Sequence, residues 1–358
     1  MEPDITEIDK NFKLDPNVDR EGLVFHNALS EPFRIYGLIH ENGQYRRFPE
    51  AVAKTVSEGV HFLHVCTAGG RVRFKTTSPY IVLYAKLPSI CRMPHFALTG
   101  SAGFDVYFTG KDGTQEFAGT YIPFFKDETP NSFQHALDFW NNDEKEVTIN
   151  FPLYSKVSDL YIGLQSTAAL SAPSPYIIQK PVVYYGSSIT QGGCASRPGN
   201  SYQSILSRRF DCDYINLGFS GRALGEKSIT DYIAGLDMSA FVLDYDHNAP
   251  STEHLKNTHE TMFKAIREAH PTLPIIMMSR PKFRLNQEET NRRQVIEDTY
   301  NHAIANGDQN VYFVDNTQLT QLCGQEGTVD GTHPTDFGFY AMAKALEPVF
   351  EKIFSHDN

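Results

Sequence analysis

The chain has 358 residues, long for one domain and comfortable for two, with 41% hydrophobic and 21% charged residues, ordinary values for a folded protein with a sizeable core. Its net charge of -11 disfavours a nucleic-acid backbone or an anionic membrane surface as partner. The five cysteines, Cys66, Cys91, Cys194, Cys212 and Cys323, are odd in number and show neither a disulfide framework nor the paired spacing of a zinc site.

The N-terminal "MEPDITEIDKNFKLDP" lacks the basic start and apolar core of a secretory leader, and no apolar run approaches the length of a membrane span. Free thiols in a reducing cytoplasm are the expectation. The first half then reads as strands. Gly59 to Thr77 presents two β-rich runs about Gly69-Gly70, a hairpin pattern. Within it Val72 and Phe74 alternate with Arg71, Arg73 and Lys75, as in a strand with one wet face. Tyr80 to Leu87, Phe104 to Thr109, Thr120 to Lys126, Glu146 to Leu153 and Asp159 to Gln165 continue the rhythm. Pro123 marks an edge or a bulge. The expected architecture is an antiparallel, jelly-roll-like β-sandwich over residues 1–172.

"STAALSAPSP" (Ser166 to Pro175) reads as a linker. Beyond it, over residues 173–358, strands alternate with helices. Val182 to Ser188, Asp213 to Ser220, Ala240 to Asn248, Leu273 to Arg280 and Val311 to Asn316 read as strands. Ser201 to Phe210, Thr252 to His270, Glu288 to Gly307 and Asp336 to Phe354 read as helices, with Ser251 or Thr252 capping the second. That alternation predicts an α/β domain, a parallel sheet covered on both faces. Such sheets carry their sites in loops at the C-terminal ends of the strands.

Four segments fall on that rim. Ser187 and Ser188 end the first strand, and a Gly-Ser-Ser alone marks a turn as readily as a nucleophile. Gly221 in "NLGFSG" allows a close backbone approach or a plain tight turn. Asn248 ends the third strand, where its amide suits an oxyanion donor or a cap. His333 in "DGTHP" follows Asp330 by three residues, a spacing that lets the carboxylate orient the imidazole. Acyl transfer needs this set of parts, because a serine hydroxyl is a poor nucleophile until a base takes its proton.

In this order the residues resemble the SGNH branch of the GDSL esterase family, whose four blocks contribute Ser, Gly, Asn and His. The resemblance implies a flavodoxin-like hydrolase domain with Ser188 as nucleophile, His333 as general base and Asp330 orienting it. It implies an oxyanion hole from the backbone of Ser188 and Gly221 and the side chain of Asn248; the expectation is a metal-independent reaction with no cofactor. Ser187 stands where the family has Asp, and the third block is altered to Asp246-His247-Asn248-Ala249. Both departures, with "GFDVY" (Gly103 to Tyr107) in the strand-rich half, are similar to a subgroup in which a β-sandwich precedes the hydrolase domain.

The substrate expectation is a short acyl ester on a polar carrier, an acetylated mono- or oligosaccharide first. Esters or thioesters of another carrier, or lysophospholipids, are the alternative, and sugar binding without catalysis is a further one. Arg197, Arg222 and Arg280 lie in rim loops and offer donors to a hydroxyl-rich or anionic ligand, although solvated arginines are common. Tyr107, Tyr121, Phe124, Phe125, Phe133 and Trp140 are aromatic faces for sugars or core residues. A homo-oligomer is compatible with the sandwich, with no residue pointing to it.

Overall fold

The computed structural model describes residues 5–9, 17–110, 113, 115–123 and 132–354. Phe124, Phe125 and the end of the run expected to Lys126 lie outside them. In the first half, two antiparallel sheets face each other. One orders Leu23–Asn27, Asp159–Gln165, Tyr80–Lys86 and Ser132–Asp138. The other orders Leu170–Ser171, Arg71–Thr76, Lys145–Asn150, Phe104–Thr109 and Gln115–Tyr121, with Arg34–Tyr36 also pairing to Arg71–Thr76. Between them lies one apolar core that includes Val72, Phe74, Leu83, Phe104, Val106, Ile149 and Ile162. Gln115–Tyr121 is an edge strand, with a register shift opposite Val106 and Tyr107, and Pro123 follows its end. Tyr107, Tyr121 and Phe133 are buried, whereas Trp140 is exposed.

Two expectations for this half need correction. The segment before Gly69 is not a strand of a hairpin. Glu50–Val56 and Glu58–Leu63 are helices, the second started by Ser57, whose side chain accepts from the Val60 N–H. Alternation would have buried Val60 and Phe62 together; instead Val60 is buried and Phe62 is 65% exposed. The polar face of Arg71–Thr76 is not wet either, since Arg71 and Arg73 are buried. Arg71 pairs with Asp213 and lies 3.9 Å from the Tyr214 ring centre, and Arg73 bonds Glu146 at 2.8 Å. That face meets the other half of the molecule.

The second half is a five-stranded, wholly parallel sheet. Its order is Cys212–Gly218, Ile178–Gly186, Ala240–Asp244, Ile275–Met278 and Val311–Val314. The first strand in the chain thus lies second in space, the flavodoxin-like order with its switch point beside Gly186. Both faces are covered. Val183, Tyr185, Phe241, Leu243 and Met277 face one core, and Val182, Tyr184, Val242, Ile276 and Met278 the other. This explains strands that read as unbroken apolar runs. Ser251 caps Thr252–Ala269, and Asn286 with Glu289 forms a capping box on Gln287–Ala305.

The halves interlock. Phe48, Ala53 and Val60 belong to the same core as Leu217, Phe219 and Ile229. Arg47, fully buried, donates to the carbonyls of Gly218 and Leu63 and stacks on Phe219 at 4.6 Å. Its burial lowers the guanidinium pKa to about 10. The expected linker adds the short strand Leu170–Ser171 to the sandwich.

Candidate active site

The first strand ends at Gly186, where a side chain would collide with the Asp244 carbonyl and Thr190 Oγ1, each within 2.1 Å of an added Cβ. That close approach lets the chain turn at once into the four-residue helix Ser188–Gln191. Ser187 caps it, its hydroxyl accepting from the Ile189 N–H at 3.2 Å. Ser187 therefore takes a capping role, and Ser188 opens the helix with an N–H that has no acceptor within it. Two contacts from the sandwich half grip this helix. Tyr154 Oη donates to the Ser188 carbonyl at 3.1 Å, and Gln191 Nε2 donates to the Leu153 carbonyl at 3.3 Å.

The loop before the last helix brings His333 to Ser188, with Ser188 Oγ 3.0 Å from His333 Nε2. His333 Nδ1 donates to Asp330 Oδ2 at 2.7 Å, and the backbone N–H groups of His333 and Thr332 donate to Asp330 Oδ1 at 2.8 and 2.9 Å. Burial pushes the Asp330 carboxyl up, but these hydrogen bonds outweigh it and hold the pKa at about 2. Ionised, Asp330 only accepts, so Nδ1 carries the imidazole proton and Nε2 is free to receive one. Ser188 is 8% exposed, buried yet reachable from the rim.

Gly221 and Asn248 lie in turns after the two neighbouring strands. Gly221 sits in the turn after Cys212–Gly218 at φ +68°, a conformation that favours glycine, and an added Cβ would meet nothing within 4 Å. Asn248 ends a 3-10 turn, Asp246–Asn248, rather than the strand itself. Its Oδ1 accepts from the Ala223 N–H at 3.2 Å, which leaves Nδ2 as the outward donor.

Of the three arginines expected to meet substrate, two are taken up by the protein. Arg280 binds Asp246 through Nε and Nη2 at 3.0 and 2.8 Å and Glu289 through Nη1 at 3.1 Å. Burial raises the Asp246 pKa, the Arg280 bonds lower it, and the net shift is downward. Arg280 thus anchors the turn that carries Asn248, helped by Arg292, which donates to the carbonyls of Asp246 and Ala249 at 3.1 and 2.7 Å. Arg197 donates to Asp105 at 2.9 Å and to the Tyr107 hydroxyl. Asp105, fully buried, also accepts from Gly199 N–H and Asn150 Nδ2, each at 2.8 Å. The Asp and Tyr of "GFDVY" are therefore a brace for the loop after the helix Ser188–Gln191. Arg222 alone stays exposed at the rim, its stem packed over Gly59.

Sequence reasoning missed His95 and Tyr154, both from the sandwich half. His95 Nε2 lies 3.8 Å from Asp330 Oδ2, and its ring centre is 6.0 Å from that of His333. Neither "RMPHF" nor "FPLYSK" carries a periodic or motif signal; only long-range packing brings them here.

A hydroxyl, an imidazole and a carboxylate linked in series at the switch point of a flavodoxin-like sheet define the constellation of an SGNH-type hydrolase. The chain belongs to the GDSL-like lipase/acylhydrolase family: that family's description matches residues 179–351, and the N-terminus of SGNH-hydrolase-type esterases, named GxDLY, matches residues 23–170. A crystal structure from Bacteroides ovatus described as a GDSL-like lipase is 30% identical, with TM-score 0.83, covering 93% of this chain and 98% of that one. Salicylyl-acyltransferase SsfX3 from a tetracycline biosynthetic pathway has the same fold at 19% identity and TM-score 0.75, covering 94% of this chain and 98% of that one. A family two carbohydrate esterase from Cellvibrio japonicus shares the fold at 13% identity and TM-score 0.60, covering 93% of this chain and 98% of that one. No curated protein matches the chain in sequence. Among the described residues no helix is long and apolar enough to cross a membrane.

Proposed function

We propose that the protein is a serine esterase that removes short acyl groups, acetyl first, from carbohydrate hydroxyls. The observation that carries the esterase reading is the chain from Ser188 Oγ to His333 Nε2 at 3.0 Å and from His333 Nδ1 to Asp330 Oδ2 at 2.7 Å. In this reading Ser188 Oγ attacks the ester carbonyl as His333 Nε2 takes its proton. Asp330 stabilises the imidazolium, which then returns the proton to the departing alcohol. Water, deprotonated by His333, releases the acid from the acyl-serine. The Ser188 and Gly221 N–H groups and Asn248 Nδ2 receive the oxyanion in both tetrahedral intermediates. The acetyl-carbohydrate substrate draws support from the two-domain fold shared with the family two carbohydrate esterase and from Arg222 at the rim.

A second reading, a bulkier acyl group or another carrier, is favoured by a cavity of about 370 Å³ beside the catalytic loop. Pro281, Phe283, Leu319, Cys323 and Pro334 give it apolar walls, and Thr328 and Gly331 of the Asp330 loop line it too.

The test is acid release from acetylated sugars and from a chain-length series of simple esters, with wild type beside Ser188→Ala. Wild type releases acetate, and the variant falls by about 10⁴-fold or more. Equal rates would remove Ser188 from the mechanism. A rate that climbs with acyl length would replace the acetyl reading with the second one. Sugar binding without turnover would leave a binding protein on this fold.

A further inference from the structure

The cysteine spacing shows no metal motif, yet the fold assembles a ligand set. One ring nitrogen each of His95 and His333 and the sulfur of Cys194 lie within 4.8 Å of one another. They come from three distant segments: a loop of the sandwich half, the loop after the nucleophile helix, and the loop before the last helix. Two imidazoles and a thiol suit a borderline-soft ion such as Zn²⁺, and not Mg²⁺ or Ca²⁺, which take oxygen ligands.

Two further features fit. His333 Nδ1 is committed to Asp330, so a metal would be taken by Nε2, the nitrogen that faces Ser188 Oγ at 3.0 Å, with Asp330 orienting the histidine from behind. Cys194 is unpaired and takes φ +80°, a left-handed conformation uncommon outside glycine, so the fold holds it here against its backbone preference. Tetrahedral zinc with Zn–N of about 2.0–2.1 Å and Zn–S of about 2.3 Å needs ligand atoms roughly 3.3–3.6 Å apart. Atoms as far as 4.8 Å apart reach that spacing only if side-chain rotations on filling close the gap by up to about 1.5 Å.

We propose that His95, Cys194 and His333 form a zinc site that, when filled, occupies the nitrogen needed to take the Ser188 proton and so switches the hydrolase off. On binding, the Cys194 S–H bond breaks, the sulfur–metal bond forms, and the proton leaves to solvent. No oxidation or reduction is involved. The fourth position is open to water. Because His95 belongs to the sandwich half, the off state needs both halves. The switch rests on the reading of His333 as the base; the site itself does not.

The experiment titrates the whole chain with Zn²⁺ while following cleavage of a chromogenic acetyl ester, in wild type, Cys194→Ser and His95→Gln. In parallel, Co²⁺ is added and the near-ultraviolet thiolate-to-cobalt absorption is recorded. Zinc should inhibit wild type reversibly by chelator, and each substitution should raise the inhibiting concentration by at least roughly tenfold. The cobalt band should appear in wild type and vanish in Cys194→Ser. Equal zinc sensitivity in all three proteins, or no cobalt band, overturns the site. A band that needs Cys194 and His95 while the rate is unchanged overturns the switch. Should no ester be cleaved, the esterase reading and its switch fail together, while the cobalt band still decides the site.

Discussion

The two halves differ in where they keep their polar groups. The sandwich closes on one apolar core between its sheets and carries Arg71 and Arg73 on the outer face of one of them. The parallel sheet is apolar on both faces and carries buried polar groups at its strand ends, among them Asp244, Asp246, Ser187 and Ser188. A strand's alternation therefore reports which face meets its own core, and not whether the other face meets water. In this molecule the sandwich's second face is an interface, and through Tyr154, His95 and Asp105 it reaches the catalytic loops.

Substitutions on either side should separate chemistry from bracing. Asn248→Ala removes, from the hydrolase half, the side chain proposed as an oxyanion donor. It should lower kcat by about 10²–10³-fold. Stability should change by less than about 1 kcal/mol, because Asn248 is only partly buried. Paired turnover and urea-unfolding measurements check this; a matching loss of stability would blur the comparison. Asp105→Ala acts from the sandwich. It leaves Arg197 without its carboxylate and should cost about 3 kcal/mol in urea unfolding, toward the low end for a buried pair because Arg197 keeps some contact with water. A loss under about 1 kcal/mol would show that the interface is held elsewhere.

Asp244→Asn tests the rim's buried charge. Burial raises the Asp244 pKa to about 7 against hydrogen bonds from Thr190 and Tyr202 that lower it. The unfolded value is about 3.9. Between about pH 4 and 7 the folded state binds more protons than the unfolded one, so wild-type stability falls as pH rises through that window. The asparagine variant should lack this slope and be more stable than wild type by about 1–3 kcal/mol at pH 8, with little gain at pH 4. Parallel stability–pH curves would contradict it. The smallest effect is expected at Tyr154→Phe, which deletes one hydrogen bond to the Ser188 carbonyl. A loss of about 1 kcal/mol, or roughly fivefold in kcat, is expected. An unchanged rate would reduce the sandwich to a passive neighbour.

Much of the hydrolase half was legible because its signals are local. Apolar runs, caps and strand-end residues lie within a few positions of one another, and Ser188, Gly221, Asn248, Asp330 and His333 fall where the alternation puts the rim. The sandwich was legible as strands, though Leu23–Asn27 and Ser132–Asp138 escaped notice and Glu58–Leu63 was misread. What failed was partnership. Arg197 and Arg280 looked like ligand donors because nothing near them in sequence names Asp105 or Asp246 as partners, which lie 92 and 34 residues away. His95 and Cys194 escaped for the same reason, since a site assembled from three loops leaves no spacing to read.

The shared core also bears on how the chain is made. Phe48, Ala53 and Val60 leave the ribosome before the residues that cover them, Leu217, Phe219 and Ile229, have been joined to the chain. With roughly 170 residues between, at about 5–20 residues per second, the helical pair waits on the order of 10–30 s with its apolar face uncovered. A nascent chain in that interval exposes apolar surface of the kind that makes folding intermediates prone to aggregation. A fragment ending after the sandwich would carry a sticky helix face, and not the surface of a finished domain.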